Sequence, residues 1–219
     1  MRPLAPPSSE PPFDEAFRRK LEELLLWRRD VRRFRPDPVP ASLVEHLLDL
    51  AQLAPSVGNS QPWRFAHVES PDARSAVRAI FRRCNASALA GYAGERATLY
   101  AGLKLAGLDR APVQLAVWCD PSTSQGFGLG RATMPDTLDW SVVGAINVLW
   151  LAARAHGLGL GWVSILDPAE MSRVLDVPSS WRLIAYLCLG WPEAADDTPE
   201  LERAGWQDRT GAGRVALRR

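Results

Sequence analysis

Apolar positions recur at three- and four-residue steps from Asp14 onward. Phe17, Leu21, Leu24 and Leu25 share one face, with Arg, Lys and Glu between them, which predicts a helix. Ser42 and Glu45 have the spacing of a capping box. Val44, Leu47, Leu48 and Ala51 then give the apolar face of a second helix, stopped before Pro55. Residues 63–68 predict a short strand, 72–85 a helix, and 88–106 a helix rich in Gly and Ala. In 112–119, Val113, Leu115 and Val117 alternate with Gln114, Ala116 and Trp118, the pattern of a buried strand. Residues 120–135 are dense in Ser, Thr and Gly and predict a mobile loop. The longest apolar run, 142–153, reads as a buried helix capped by Thr137 or Asp139, running to His156 and ended by Gly157. A strand over 160–166, a short helix opened by Asp167-Pro168-Ala169-Glu170 and a strand over 181–189 complete the series. Four or five strands with helices over more than a third of the chain predict a sheet covered by helices, α+β or α/β. There is no internal repeat.

The first dozen residues hold Pro3, Pro6, Pro7, Pro11 and Pro12, so 1–12 reads as a disordered or wrapping arm. Residues 13–209 read as a single domain and 210–219 as a tail. At 219 residues and 47% hydrophobic, the chain can bury a core without staples. Its 26 Lys+Arg against 25 Asp+Glu leave a net charge of +1, which gives no support to nucleic-acid or membrane-surface binding. All the basic residues but Lys20 and Lys104 are arginine, the better fork for phosphate, although genomic composition alone accounts for such a bias. Cys84, Cys119 and Cys188 are too sparse for a disulfide framework and fit a reducing compartment. His46, His67 and His156 are equally scattered, so no protein-held metal is expected. There is no secretory h-region, and the 142–153 run is too short to span a bilayer. A cytoplasmic protein is the expectation.

Three segments can carry chemistry. Arg28-Arg29-Asp30-Val31-Arg32-Arg33 follows the first helix. Arg28 and Arg32, four apart on one helical face, could converge on a phosphate, and the bland alternative is a solvated basic helix end. Asp30, flanked by guanidinium groups, is a candidate proton acceptor. Ala54-Pro55-Ser56-Val57-Gly58-Asn59-Ser60-Gln61-Pro62-Trp63 offers hydroxyl, amide and backbone donors, and taken alone reads as a helix-to-strand connection. Gly157-Leu158-Gly159-Leu160-Gly161-Trp162-Val163-Ser164 has alternate glycines that let a ligand approach backbone N–H groups, or simply form a helix C-cap and turn. It precedes a strand and lacks G-x-G-x-x-G, so a dinucleotide fingerprint fails, and Ser164 has no hydrolase elbow. Of the tryptophans, Trp63 and Trp162 stand where they could border a planar ligand.

Taken together, these three segments resemble the flavin-dependent nitroreductase superfamily over roughly residues 13–209. The closer resemblance is to its branch of aerobic 5,6-dimethylbenzimidazole synthases, through Leu103-Lys104-Leu105-Ala106-Gly107-Leu108, Met134-Pro135-Asp136-Thr137 and Tyr186-Leu187-Cys188-Leu189-Gly190-Trp191. Asp30, where general nitroreductases usually carry Ser, is the most discriminating residue, and Ser164 the second. The resemblance implies an α+β fold with a mixed sheet flanked by helices, an intertwined homodimer and two FMN sites at the subunit interface. It implies that Arg28 and Arg32 hold the flavin phosphate and ribityl region with Arg209 joining from the tail, and that Arg29, Asp30 and Val31 also belong to the FMN site. Ser56, Val57 and Asn59 would come from the partner subunit, and Gly161, Trp162 and Ser164 would lie along the ring. Asn59-Ser60 departs from the bulkier apolar residues common in relatives. The implied activity is oxygen-dependent fragmentation of reduced FMN, with Asp30 moving protons and Ser164 orienting the ring. NAD(P)H would act indirectly, through a separate flavin reductase. The alternatives are an NAD(P)H-dependent nitroreductase, a related reductive dehalogenase in which Glu95, Tyr100 and Lys104 would grip substrate, and a non-enzymatic FMN-binding protein.

Overall fold

A computed structural model describes residues 13–103 and 107–210. The proline-rich arm and the tail beyond residue 210 lie outside the described residues, as does Lys104. The elements are α1 Glu15–Trp27, α2 Ala41–Ala51, β1 Trp63–His67, α3 Pro71–Leu89, α4 Gly94–Gly102, α5 Gly107–Arg110, β2 Val113–Cys119, α6 Thr137–Ala155, β3 Gly159–Val163, α7 Pro168–Val174, β4 Arg182–Gly190 and α8 Glu200–Arg203. The strands form one sheet in the order β1-β2-β4-β3, each pair antiparallel. The sheet is therefore antiparallel, where a mixed sheet was expected; the one parallel pairing is an isolated bridge between Asp30 and Leu160 at the free edge of β3.

The alternation in β2 divides its side chains between two cores. Leu115, Val117 and Cys119 pack with Leu47 and Ala51 of α2 and with Val142, Ile146 and Leu149 of α6. Ala116 and Trp118 face the other way, onto Val77 and Ile80 of α3 and Met171 of α7. Both faces of the strand are therefore covered, as its near-continuous apolar run requires. Its one amide, Gln114, accepts from the Tyr186 hydroxyl at 2.6 Å and donates to the Leu108 carbonyl at 3.1 Å, so burial leaves it paired. Helix α6 ends as its sequence indicates. Gly157, at φ +77°, permits the Leu158 N–H to reach the Ala153 carbonyl at 2.9 Å and its own N–H to reach Arg154 at 3.0 Å.

Several boundaries differ from expectation. Pro40 is the N-cap residue of α2, so Ser42 already lies inside the first turn and no Ser42–Glu45 capping box forms. Asp136 occupies the N-cap of α6 without a side-chain cap bond, and the Thr137 hydroxyl donates to the Met134 carbonyl at 2.6 Å. The 88–106 region is broken: α3 ends at Leu89, the chain turns through Gly91, and α4 starts at Gly94, where φ is +56°. Strand β3 ends at Val163, its last residue paired with β4, before Asp167 caps α7. Residues 120–135 contain a 3-10 turn over Gln125–Gly128. Helix α1 has the predicted span, but no residue of it is buried: Phe17, Leu21, Leu25, Leu26 and Trp27 are all exposed.

Candidate functional site

The arginine segment is not helical. Helix α1 ends at Trp27, and Arg28 is already extended, at φ −73° and ψ 116°. From there the chain runs along the free edge of β3: Val31 N–H donates to the Leu160 carbonyl at 3.0 Å, and Arg35 N–H to Trp191 at 2.8 Å. An extended chain repeats every two residues, so Arg28, Asp30 and Arg32 still share a side, for a different geometric reason than helical spacing. The same contact explains the alternate glycines. A Cβ on Gly159 would stand 2.7–3.0 Å from the side-chain carbons of Val31, and one on Gly161 would overlap the Val31 carbonyl oxygen. Close approach is required there by the chain's own backbone.

Asp30 is held at two points. Oδ1 accepts from the Trp162 backbone N–H at 2.9 Å, and Oδ2 accepts from Arg32 Nε at 3.2 Å. The Arg32 side chain is only 12% exposed, against 36% for Asp30, so the pair presents the carboxylate rather than the guanidinium to solvent. Trp150 of α6 braces the segment: its Nε1 donates to the Arg29 carbonyl at 3.1 Å, and its ring lies under Arg28 with 4.9 Å from Cζ to centroid. Arg29 donates to the carbonyls of Asp197, at 2.6 Å, and Arg28, at 2.6 Å. Its pKa is lowered first by burial, then by the positive charges of Arg209 and Arg28, against the weaker pull of Asp197 and Asp196. Arg28, Arg29 and Arg209 therefore crowd together, and none has a carboxylate partner in an ion pair among the described residues. Like charge that Asp197 and Asp196 offset only in part suits a bound dianion.

Beside the segment lies a cavity of about 310 Å³. Arg29, Asp30, Arg32, Trp150, Leu160 and Ala204 contribute to its wall. The segment 196–204 closes the far side, tied in place by Arg33–Glu200 at 3.4 Å and Arg203–Asp196 at 3.1 Å. Gly161 is buried and Trp162 half-buried next to Asp30, whereas Ser164 is exposed just past the end of β3. Neither Ser164 nor the 56–59 loop lines this cavity. That loop is fixed elsewhere: the Val57 N–H donates to Ser141 Oγ at 3.1 Å, Ser56 Oγ accepts from Gln61 N–H at 3.1 Å, and the Asn59 carbonyl accepts from Gln125 at 2.7 Å. Within one chain, the sequence-predicted residues thus form two groups.

Trp63 lies in the core. It is 4% exposed, and its Nε1 donates to Gln52 at 2.8 Å inside the core. Tyr100 of the dehalogenase-like set spends its hydroxyl on Asn85, at 2.8 Å. Sequence reasoning missed Trp150, Arg154 and Glu200. The one available signal for Trp150 was an aromatic residue one turn before Arg154, the single aromatic of the 142–153 run.

The model of the nitroreductase family matches residues 25–191, from the end of α1 to the residue after β4, and the chain belongs to that family. A 5,6-dimethylbenzimidazole synthase of Rhodospirillum rubrum is 57% identical over 199 residues, covering 91% of this chain and 94% of the relative. One from Rhodobacter capsulatus is 52% identical, covering 90% and 95%. Among solved structures, oxidised iodotyrosine deiodinase bound to FMN and 3-iodo-L-tyrosine superposes with a TM-score of 0.70 at 25% identity, over 90% of this chain and 97% of that one. Among the described residues, no helix is long and apolar enough to cross a membrane.

Proposed function

We propose that this chain fragments reduced FMN in an oxygen-dependent reaction, giving 5,6-dimethylbenzimidazole and erythrose 4-phosphate. The similarity to named synthases over nine-tenths of both chains supports the reading. The structural observation that carries it is the carboxylate of Asp30, pinned between Arg32 and the β3 backbone at the wall of an arginine-lined cavity. The cluster of Arg28, Arg29 and Arg209 fits a flavin phosphate by charge.

Reduced flavin supplies the electrons for oxygen chemistry when bound, and here it is the substrate. The protein's tasks are positional. Arg28, Arg29, Val31 and Arg32 hold the phosphate and ribityl end, with Arg209 joining from the tail. Trp150 and the extended backbone keep those side chains from swinging out. Asp30 retains free lone pairs after its two bonds, so it can take and return a proton at its exposed edge while Arg32 keeps it oriented. Gly161, Trp162 and Ser164 line the ring, and the Ser164 hydroxyl is free to donate to it.

The working unit is a homodimer in which Ser56, Val57 and Asn59 complete the partner's site. Two observations support this: those residues lie away from their own chain's cavity, and α1 exposes an apolar face that a second copy would cover. A separate NAD(P)H-dependent flavin reductase would supply the reduced substrate. The three cysteines are free, which suits the reducing cytoplasm.

The test is one reaction. The protein is mixed with FMN, the flavin is reduced under argon, oxygen is admitted, and products are resolved by chromatography with mass detection. A dimethylbenzimidazole peak with permanent loss of flavin absorbance is expected. Full return of oxidised FMN without that peak would refute the synthase and leave a reductase or a flavin-binding protein.

A further inference from the structure

The segment that closes the cavity does not end there. Helix α8 finishes in a left-handed turn at Gly205, φ +71°, where the Gly205 N–H donates to Glu202 at 2.9 Å and the Trp206 N–H to Leu201 at 2.8 Å. This turn swings Trp206 onto the α3–α4 hairpin. Its ring meets Tyr92 edge-on with centroids 5.5 Å apart and lies 6.1 Å from Tyr100, while the two tyrosines stack at 4.9 Å. Arg96 of α4 closes the group, with Cζ 5.1 Å from the Trp206 ring centre and Nη1 donating to the Trp206 carbonyl at 2.9 Å. At its other end the same segment is bonded to the arginine cluster through Arg29 to the Asp197 carbonyl and Arg33 to Glu200. Ala204 lies in the wall of two cavities: the arginine-lined one and a second beneath α4, lined by Glu95, Thr98, Leu99 and Leu103.

We propose that residues 196–206 form a strap that couples phosphate capture in the arginine cavity to the placement of α4, with Trp206 as the positioning residue that joins the two. Trp206 lines neither of the two cavities. It anchors the strap so that the following residues carry Arg209 to the cluster, and it transmits the strap's position to α4 through Tyr92 and Tyr100. A ligand with a terminal phosphate therefore orders α4, whereas the same ring without a phosphate does so less. The proximity of Arg209 to Arg29, felt as a lowered Arg29 pKa, agrees with this path. The inference rests on the flavin reading above and adds the determinant for a phosphorylated over an unphosphorylated flavin.

The test compares FMN with riboflavin in the full chain and in Trp206→Ala and Trp206→Phe, by fluorescence titration. Wild type is expected to prefer FMN. Trp206→Ala should shrink that preference by roughly ten-fold or more, the order of one charge-assisted hydrogen bond, and Trp206→Phe, which keeps an aromatic face for Tyr92 and Tyr100, should restore most of it. Amide hydrogen exchange over Gly94–Gly102 should slow more with FMN than with riboflavin in wild type, and equally with both in Trp206→Ala. An unchanged FMN-to-riboflavin ratio in Trp206→Ala overturns the coupling, even where both affinities fall together, because general loosening of the fold weakens the two ligands alike. A wild-type chain that binds both flavins equally also overturns it. Failure of wild type to bind either flavin overturns the flavin reading itself.

Discussion

Gly161→Ala places a methyl group where the Val31 carbonyl oxygen stands. The obstacle is backbone, so no rotamer change relieves it; the arginine segment must lift off β3. Three of the bonds that hold that segment lie at the point of contact: Val31 N–H to Leu160 at 3.0 Å, Trp162 N–H to the Asp30 carboxylate at 2.9 Å, and Trp150 Nε1 to the Arg29 carbonyl at 3.1 Å. The two neutral bonds are worth about 1 kcal/mol each and the carboxylate bond about 1.5–3 kcal/mol, and partial relaxation recovers some of this. A loss of about 2–4 kcal/mol is expected, which lowers Tm by roughly 5–15 °C for a chain of this size. FMN affinity should fall with it, since the segment carries the guanidinium groups. Gly159→Ala provides the control. Its methyl meets the Val31 side chain, with Cγ2 at 2.7 Å and Cγ1 at 3.0 Å, so Val31→Ala should partly rescue Gly159→Ala and leave Gly161→Ala unrescued. Thermal unfolding and FMN titration of the singles and doubles measure this. A Gly161→Ala protein with wild-type Tm and FMN affinity would refute the packing argument.

Other expectations follow from the same geometry. Asp30→Asn can keep an acceptor for the Trp162 N–H but presents no charge to Arg32; FMN should still bind while dimethylbenzimidazole formation is lost, and full turnover in that variant would remove Asp30 from proton transfer. Leu25→Glu, on the exposed face of α1, should shift the chain from dimer to monomer in sedimentation and weaken FMN binding, because the partner's 56–59 loop is lost with it. Burial, helped at Cys119 by Asp139 and at Cys188 by Asp30, pushes both thiols from 9.0 up to about 12. The unfolded chain loses those protons first as pH rises, so the stability they contribute is complete below about pH 9 and declines from there toward 12. Only Cys84 should react quickly with iodoacetamide at pH 8, and rapid alkylation of all three in the folded protein would contradict this burial.

The sheet strands and helix α7 were legible because their signals are local. Alternation in 112–119 and the Asp167-Pro168 cap each depend on residues a few positions apart, and β2 and α7 formed where they pointed. The capping pair Ser42–Glu45 failed because Pro40 already fixes the entry to α2. The apolar face of α1 was read correctly as a helix, but periodicity does not say what covers the face, and among the described residues none of the helix is buried. At the site, the arginine run and the alternate glycines were visible as separate motifs. Their relation was not, because Val31 lying on Gly159 and Gly161 is a contact across about 130 positions. Trp150 and Glu200 escaped for the same reason: their roles exist only once α6 and the 196–206 segment have been brought to the arginines.

The strand order β1-β2-β4-β3 carries a kinetic consequence. Residues 63–119 hold β1, α3 and β2, and residues 159–190 hold β3, α7 and β4, so each half has an antiparallel pair of its own. Within the sheet the halves join along β2 and β4, whose partners, such as Leu115 and Leu187, are far apart in sequence. Closing that loop must be paid for in chain entropy before either core is complete, since α6, which packs on the sheet, lies inside it. Refolding should therefore be limited by the meeting of two preformed halves, with β2 and β4 the last strands to gain protection from exchange across their shared edge.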